Sequence, residues 1–600
     1  MTVGRVPWGR AALVSVLLAL SPLPGSGEGR GQEPVAPSAL IGEARAALTR
    51  GDGIAAEMKL RAALGKGAAR GEVAAWMGEA YLAQGQLAKA RTWLKEGGFA
   101  PDSAARGWRA LARLEQLSGH YEAGHMAFMK ARALTPDDPE LWVEMGRLDY
   151  VRGAHMDAIA AADHALELGP HNARALQFKG QLVRDRYGLA GALPWFEKGI
   201  MAAPSDASLL LDYAATLGDL GRAGQAVTVT RRVLELMPGN PQAYYLQAVI
   251  AARAGNFELA RSLLAETEGQ LDAVPGVQQL RGMAELALGN PQTAIEAFEA
   301  VLRQRPDSRR TKELLARAIY EAGQVRFATM RFGPDIARDE ASPYLLIQVA
   351  RAYEVLGNRQ KAGELLDRAA RPAQAQLRVV GRGGPIGRLL AEGQGRAAEQ
   401  AAEAMRRERP GFFDSQALAG DVQLALGNPA AAQERYTLAT RVRMPPGLFR
   451  RRVEAFLLAG DLKGAQGLVQ GYLDQNPQSR VALRAAAGLA MASGDYLRAH
   501  SILTWLRDNG SARDVRLLCD LALVETGLGN MQEAREAAQA AYRLQRSSPD
   551  AAQALGFALA TSEEAPGTAR ALLAKARSMI GETPLIAEGE ALLDDAPNAG

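Results

Sequence analysis

Apolar residues recur along this chain at steps of three and four, which is the pattern of helices that bury one face. A glycine interrupts this pattern at intervals of 33 to 36 residues over most of the chain. No run of alternating apolar and polar residues marks a strand between the helical segments. The pattern therefore predicts an all-α chain of short helices. The fifteen spaced glycines are Gly51, Gly85, Gly119, Gly153, Gly188, Gly221, Gly255, Gly289, Gly323, Gly357, Gly393, Gly427, Gly460, Gly494 and Gly529.

Each interval contains the start and stop signals of a helical hairpin. The spaced glycine ends the first helix, because glycine adopts the left-handed C-cap conformation without strain. Five residues later an alanine recurs, as at Ala56, Ala158 and Ala294, which lets two helix backbones approach closely. A proline such as Pro136 or Pro170 ends the second helix. A hairpin repeated at this period is typical of stacked repeat proteins.

The residues within each hairpin resemble a known repeat. One unit carries Trp108, Leu111, Ala112, Phe128, Ala131 and Pro136, and the next carries Trp142, Gly146, Ala158, Ala165 and Pro170. These positions resemble the signature of the tetratricopeptide repeat, over about residues 38 to 580 or about sixteen units. The resemblance implies an α-solenoid: a right-handed superhelix whose first helices line its concave side.

One stretch breaks the regular spacing. Between Gly357 and Gly393 the interval rises to 36 residues, and glycines and Pro385 shorten the helix expected there. These glycines do not match a nucleotide-binding loop, because no strand precedes them and no Lys-Ser/Thr pair follows. We therefore expect a kink near residues 372–390. The predicted segments are an N-terminal repeat array at 38–371, an irregular hinge at 372–387, a C-terminal array with a capping helix at 388–593 and a disordered tail at 594–600.

The first residues form a separate segment. Arg5 and Arg10 precede the apolar run Ala11–Leu20, and small residues and prolines follow it. This order is typical of a cleaved secretory signal peptide, predicted at residues 1–27, with a flexible lead-in at residues 28–37. The alternative is an uncleaved anchor, although the apolar run is short for a bilayer span. In a bacterium, an exported chain of this kind would work in the periplasm, without membrane insertion after cleavage.

Composition excludes several function classes. The formal net charge is only +4, which implies no bulk attraction to nucleic acid or to a membrane. Cys519 is the single cysteine, so an intramolecular disulfide is excluded and a buried structural thiol is expected. Carboxylate pairs lie in predicted turns, and no catalytic or phosphate-binding motif occurs. We therefore predict neither an enzyme nor a bound cofactor.

Histidines are the remaining candidates for chemistry. Five of the six cluster in sequence, but the repeat register places them on opposite edges of a solenoid, whereas metal ligands must converge on one point. No metal site is therefore predicted. The clustered histidines are His120, His125, His155, His164 and His171.

The family resemblance places the residues 13, 10 and 6 positions before each spaced glycine on the concave face. In three consecutive units these positions carry arginines, when the register of the Gly188 unit is set one residue earlier, and Arg184 lies one turn further on. A guanidinium can bind a carboxylate through two parallel hydrogen bonds. The alternative is a solvated helix face, ion-paired with Glu115, Glu140 and Glu144. The predicted binding residues are Arg106, Arg109, Arg113, Arg147, Arg174 and Arg184, with weaker copies at Arg310, Arg317 and Arg351 and at Arg450, Arg484 and Arg516.

The architecture is similar to the long tetratricopeptide superhelices of bacterial exopolysaccharide synthesis and export, which combine a leader with many repeats and no catalytic domain. The resemblance implies a non-enzymatic periplasmic scaffold that mediates protein–protein interactions in envelope or exopolysaccharide assembly. The alternative is direct binding of an acidic polymer or peptide in the arginine-lined groove. The expected partners are therefore envelope proteins, then an acidic polysaccharide, and not nucleic acid.

Overall fold

The computed structural model describes residues 36–338, 341–370 and 384–595. Within these ranges the chain forms thirty-four α-helices and no strand, which confirms the predicted all-α repeat fold of about sixteen helix pairs. The predicted signal peptide and nearly all of the lead-in lie outside the described residues, as do residues 372–383 of the hinge and 596–600 of the tail. The predicted segment boundaries therefore stay predictions.

The chain divides into two compact units, and the first is Met1–Ser118. Its helices pack around a core in which Leu60, Trp76, Met77 and Leu94 are buried. Because apolar residues recur at steps of three and four, their side chains lie on one face of each helix, and that face points toward the core. The helices of this unit are α1 Pro37–Thr49, α2 Gly53–Gly65, α3 Arg70–Ala83, α4 Leu87–Leu94 and α5 Ala104–Leu117.

The second unit is Gly119–Gly600. Its first helices are α6 Tyr121–Leu134, α7 Pro139–Val151, α8 His155–Leu168, α9 Ala173–Arg186, α10 Leu189–Ala202, α11 Ala207–Asp219, α12 Ala223–Leu236, α13 Pro241–Arg253, α14 Phe257–Ala265, α15 Pro275–Ala287, α16 Pro291–Gln304, α17 Arg309–Glu321, α18 Val325–Arg331, α19 Gly333–Ile336, α20 Pro343–Val355 and α21 Arg359–Ala370. The remaining helices are α22 Pro385–Ala391, α23 Gly395–Glu408, α24 Phe413–Ala425, α25 Pro429–Thr440, α26 Pro446–Leu458, α27 Leu462–Gln475, α28 Arg480–Ala492, α29 Tyr496–Leu506, α30 Val515–Leu528, α31 Met531–Leu544, α32 Pro549–Thr561, α33 Pro566–Ile580 and α34 Pro584–Asp595. Helix α22 begins inside the predicted hinge and is short, and α34 extends two residues into the predicted tail.

The spaced glycines form the turns between paired helices. All fifteen have a positive φ, between 70° and 123°. At Gly289, for example, φ is 80°, and the next amide, that of Asn290, donates a hydrogen bond to the carbonyl oxygen of Glu285 at 2.8 Å. This geometry satisfies carbonyl groups at the end of α15 that lack an intrahelical partner. The predicted role of the glycines as helix stops is confirmed.

Small residues in one helix face large residues in its partner. A Cβ atom added to Gly282 of α15 would lie 2.6 Å from the ring of Phe298 in α16, and one added to Gly420 would lie 2.5 Å from the ring of Tyr436. The recurring alanine, such as Ala294, is fully buried in the cluster that also contains Phe298. The aromatic ring therefore occupies the volume that the small residue leaves, which fixes the distance between the paired helices.

Candidate binding site

Three of the six predicted arginines lie on α5 in the first unit. Arg106, Arg109 and Arg113 share one face of this helix because they are three and four residues apart. The Arg106 guanidinium lies 2.7 Å from the carboxylate of Glu79 and 4.5 Å from the ring centre of Trp76. Arg109 and Arg113 are partly buried, and each interacts with a neighbouring group. Part of the positive charge on this face is therefore neutralised within the unit.

Arg147 and Arg174 lie in the second unit, on consecutive first helices. Arg147 donates to Oε1 of Gln177 at 3.4 Å and lies 5.3 Å from the ring centre of Phe178, and burial lowers its pKa from the ordinary value. Arg174 forms an ion pair with Glu140 at 3.5 Å. Both side chains thus connect α7 with α9. Their role in binding a ligand stays a prediction.

The second unit also contains contacts between residues that are far apart in sequence. The amide of Gly191 donates to Oε1 of Gln475, 284 residues away, at 2.9 Å, and the amide of Met444 donates to the carbonyl oxygen of Asp185 at 2.9 Å. These separations correspond to about eight repeats. Two stretches of the array therefore pack edge to edge. We call this contact the long-range interface, formed by residues 150–191 and 221 on one side and 411–414, 443–445 and 475–478 on the other.

The long-range interface caps a helix. Helix α10 begins after Gly188 and has no side-chain N-cap of its own. The first amides of an α-helix lack intrahelical acceptors. Here Leu189 donates to Oδ1 of Asn476 at 3.4 Å, and Gly191 donates to the Gln475 side chain. Residues of the distant stretch therefore stabilise the start of α10.

Two glycines allow the close approach at this interface. A Cβ atom on Gly153 would lie 2.9 Å from the ring of Phe412, and one on Gly221 would lie 1.8 Å from Nε2 of the Gln478 side chain. A larger residue at position 153 would have to displace the Phe412 ring, and one at position 221 would have to displace the end of the Gln478 side chain. These glycines thus serve both as helix stops and as contact surfaces.

A buried histidine also lies at the long-range interface. The His155 ring is only 4% exposed and packs edge-on against Tyr150, whose hydroxyl donates to the carboxylate of Asp185. The Arg443 guanidinium, from the opposite stretch, forms an ion pair with Asp414 at 3.6 Å. Burial, and next the positive charge of Arg443, lowers the pKa of His155. The interface therefore favours the neutral imidazole.

A groove with a volume of about 1330 Å³ opens beside the long-range interface. Arg184, Arg253 and Arg310 line it from one stretch of the array, and Arg443 and Arg480 line it from the other. Because three aspartates also line the groove, its walls carry a formal charge of +2. The structure thus brings together two arginines that the sequence pattern singled out, Arg184 and Arg310, with three that it did not.

The groove arginines differ in how far their charge is neutralised. Arg253 forms an ion pair with Asp219 at 2.7 Å. Arg184 donates only to the hydroxyl of Thr216, and Arg480 only to that of Ser511, each at 3.4 Å. Arg310 is exposed and has no hydrogen bond to any described residue. In the part of the chain that the structure describes, Arg184, Arg310 and Arg480 therefore have no carboxylate partner.

Other candidate groups have local partners. Nδ1 of His125 lies 2.8 Å from a carboxylate oxygen of Asp149, and Nδ1 of His164 lies 2.9 Å from a carboxylate oxygen of Glu167. Across residues 36–338, 341–370 and 384–595, no three histidine, cysteine or acidic side chains are grouped closely enough to hold a metal ion. Cys519 is buried, as predicted, and burial raises the pKa of its thiol. No described helix combines the length and apolar character that a membrane span requires.

Comparison with known proteins places the repeat in a family. Residues 212–275, 280–325 and 484–549 match the family model described as "Tetratricopeptide repeat". Cellulose synthase operon protein C of Xanthomonas axonopodis pv. citri (strain 306) is 25% identical over 438 residues. The alignment covers 71% of this chain and 26% of that protein, so the chain spans about a quarter of the length of this relative.

Similar solved structures include the APC/C hetero-tetramer Cut9–Hcn1, at 12% identity with a TM-score of 0.37, covering 93% of this chain and 96% of that one. They also include PilW, a widely conserved type IV pilus biogenesis factor, at 20% identity with a TM-score of 0.31, covering 35% of this chain and 96% of that one. The family segments lie within the same succession of glycine-stopped helix pairs that extends through the described residues. Residues 212–275, 280–325 and 484–549 therefore carry tetratricopeptide repeats.

Proposed function

We propose that this chain is a non-enzymatic scaffold that mediates protein–protein interactions in the assembly of bacterial envelope or exopolysaccharide machinery. The observation that carries the proposal is the repeat array itself, together with its alignment over 71% of the chain to a cellulose synthase operon protein. Stacked repeats present extended surfaces, because each unit adds one more helix pair to the face of its neighbour. Such a surface can hold several partners at once.

The proposed location is the periplasm. The support for this location is the order of basic, apolar and small residues in the predicted leader, residues 1–27. The test is a fusion of residues 1–35 to a reporter enzyme that is active only outside the cytoplasm. Activity is expected from this fusion and not from one in which Leu17 and Leu18 are replaced by aspartate. Equal inactivity of both fusions would contradict export.

Affinity purification from native envelope, followed by mass spectrometry, tests the scaffold function. The tagged full chain is compared with the same chain lacking residues 2–35, which should stay in the cytoplasm. Components of polysaccharide synthesis or export should co-purify with the full chain alone. Recovery of the same proteins with both chains, or of no envelope component, would contradict the proposal.

The second candidate function is direct binding of an acidic polymer or peptide by arginine side chains. The observation that favours it is that Arg184 lies in a groove with four other arginines, of which Arg310 and Arg480 have no described carboxylate partner. Arginines paired with Glu79 and Glu140, by contrast, hold neighbouring helices together. A test of this function should therefore begin at the groove.

A further inference from the structure

We propose that the groove beside the long-range interface binds a segment of a carboxylated oligosaccharide. The proposal deepens the second candidate function and rests on it, since it assigns the site and the ligand class. The groove is defined by its walls: Arg184, Arg253 and Arg310 on one side, and Arg443 and Arg480 on the other.

Three arginines of the groove keep their positive charge available to a ligand. Arg184, Arg310 and Arg480 come from helices α9, α17 and α28, and no described carboxylate neutralises them. A concave site lined by low-dielectric protein strengthens the attraction of such cations for an anion. A guanidinium offers parallel N–H donors that match a carboxylate. The groove is therefore suited to carboxylate groups spaced along a ligand, because cations lie on both of its walls.

Aromatic side chains also line the groove. Tyr187 is 53% exposed, and Phe257 and Trp505 are partly exposed along the same groove. The faces of these rings are apolar, whereas the tyrosine hydroxyl and the indole N–H can form hydrogen bonds. A sugar ring has apolar C–H faces and a polar edge, so it fits beside such residues.

The polar groups of the groove favour a glycan over an acidic peptide. Asp185, Asp219 and Asp508 line the groove together with the amide side chains of Asn476 and Asn509. These aspartates repel carboxylates but accept hydrogen bonds from hydroxyl groups. An acidic sugar residue supplies several hydroxyl donors for each carboxylate. A run of acidic amino acids supplies only one donor, the backbone N–H, for each carboxylate. The mixture of arginine, aspartate and amide groups therefore favours the glycan.

The size of the groove favours a polymer segment. A volume of about 1330 Å³ is larger than the pockets of about 300–1,000 Å³ that enclose a drug-sized molecule. The walls come from two stretches of the array that are about eight repeats apart, so the groove is a space between two packed stretches rather than a pocket within one repeat. A linear polymer segment matches this shape better than a single small molecule.

The test is calorimetric binding with the purified full chain. The probes are a hexamer of galacturonic acid, a neutral cellulose hexamer and a hexaglutamate peptide. The variant carries Arg310→Gln and Arg480→Gln, one exposed arginine from each wall. The matched control carries Arg305→Gln and Arg326→Gln, which removes the same charge from exposed positions outside the groove.

The galacturonate hexamer should bind, and binding should weaken about tenfold in the groove variant but remain within about twofold in the control. The neutral hexamer and the peptide should bind at least about tenfold more weakly than the galacturonate hexamer. Arg310→Lys with Arg480→Lys, which keeps the charge, should restore part of the affinity, and so separates charge loss from misfolding.

Three results would overturn the proposal: no binding of the galacturonate hexamer, equal affinity in groove variant and control, or binding of hexaglutamate as tight as that of the glycan. Envelope capture by the groove variant is a separate readout. Unchanged protein partners with lost glycan binding would support the groove and leave the scaffold function intact. Glycan binding without envelope partners would contradict the scaffold function alone.

Discussion

Gln475 provides the sharpest test of the long-range interface. Its side-chain oxygen accepts a hydrogen bond from the amide of Gly191 at 2.9 Å, although 284 residues separate the two. Helix α10 has no N-cap side chain of its own, so this oxygen replaces the hydrogen-bond acceptor that a local serine or aspartate provides at the start of other helices. Replacing Gln475 by alanine removes the acceptor and leaves the Gly191 amide without a partner.

The size of the effect follows from the capping geometry. Loss of an N-cap acceptor typically costs about 0.5–2 kcal/mol, and we expect about 1 kcal/mol here because Asn476 still faces Leu189. That cost corresponds to about a fivefold increase in opening of the first turn of α10. Gln475→Glu keeps the acceptor and places a negative charge at a helix N-terminus, which is favourable by about 0.3–1 kcal/mol.

The assay is hydrogen exchange followed by mass spectrometry on peptides that cover residues 188–194. Exchange there should be about fivefold faster in Gln475→Ala and no faster than wild type in Gln475→Glu. Gln470→Ala is the matched control, because Gln470 is an exposed glutamine on the same helix that bonds to Asp474 and Arg498 instead. Unchanged exchange at residues 188–194 in Gln475→Ala would refute the capping argument.

Three further predictions concern single residues. Ala294→Phe should lower the free energy of unfolding by about 1–3 kcal/mol in denaturant titrations, because Ala294 is fully buried between α15 and α16 and a ring would overpack the contact; an unchanged midpoint would contradict this. The free energy of unfolding should fall as the pH drops from about 7 to 5, because the pKa of His155 is lowered in the folded chain and the unfolded chain therefore takes up the proton first. The groups that face His155 are Arg443, Asp414, Asp185 and Tyr150. In the His155→Gln variant the melting temperature should depend less on pH over this range. Cys519 should not react with a thiol reagent until the chain unfolds, because its buried thiol has a raised pKa; rapid labelling of the native chain would contradict its burial.

Features that depend on neighbouring residues could be predicted from the sequence. Gly289 ends α15 because only a residue without a Cβ adopts that turn freely, and the signal is contained in one residue type at one position. The paired helices follow from the same local rules, repeated once per unit. This is why the fold class and the approximate number of units could be predicted.

Ion pairing within the arginine face was only partly visible in the sequence. Arg174 pairs with Glu140, which lies 34 residues, or one repeat period, earlier. A search for an acid one period before each arginine would have found this pair. The same search would have missed the pair of Arg106 and Glu79, which are 27 residues apart, because the two residues occupy different positions within their repeats.

The groove could not be predicted from the sequence. Arg184 and Arg480 line the same groove because small rotations between successive units add up over about eight repeats. An error of a few degrees per unit would bring a different repeat opposite Arg184. No spacing rule in a single sequence supplies that angle.

Two distant stretches of this array pack together and so build the groove, and a cross-link from position 412 would detect that packing. The ring of Phe412 packs against Gly153, where an added Cβ would lie only 2.9 Å away. A photoreactive benzoyl-phenylalanine at position 412 keeps the aromatic ring, and monomeric chain can be irradiated and digested for mass spectrometry. Packing at the long-range interface predicts an intramolecular cross-link to the peptide that contains Gly153 and Met156. Cross-links confined to α23, α24 and α25 would contradict the interface and the groove beside it.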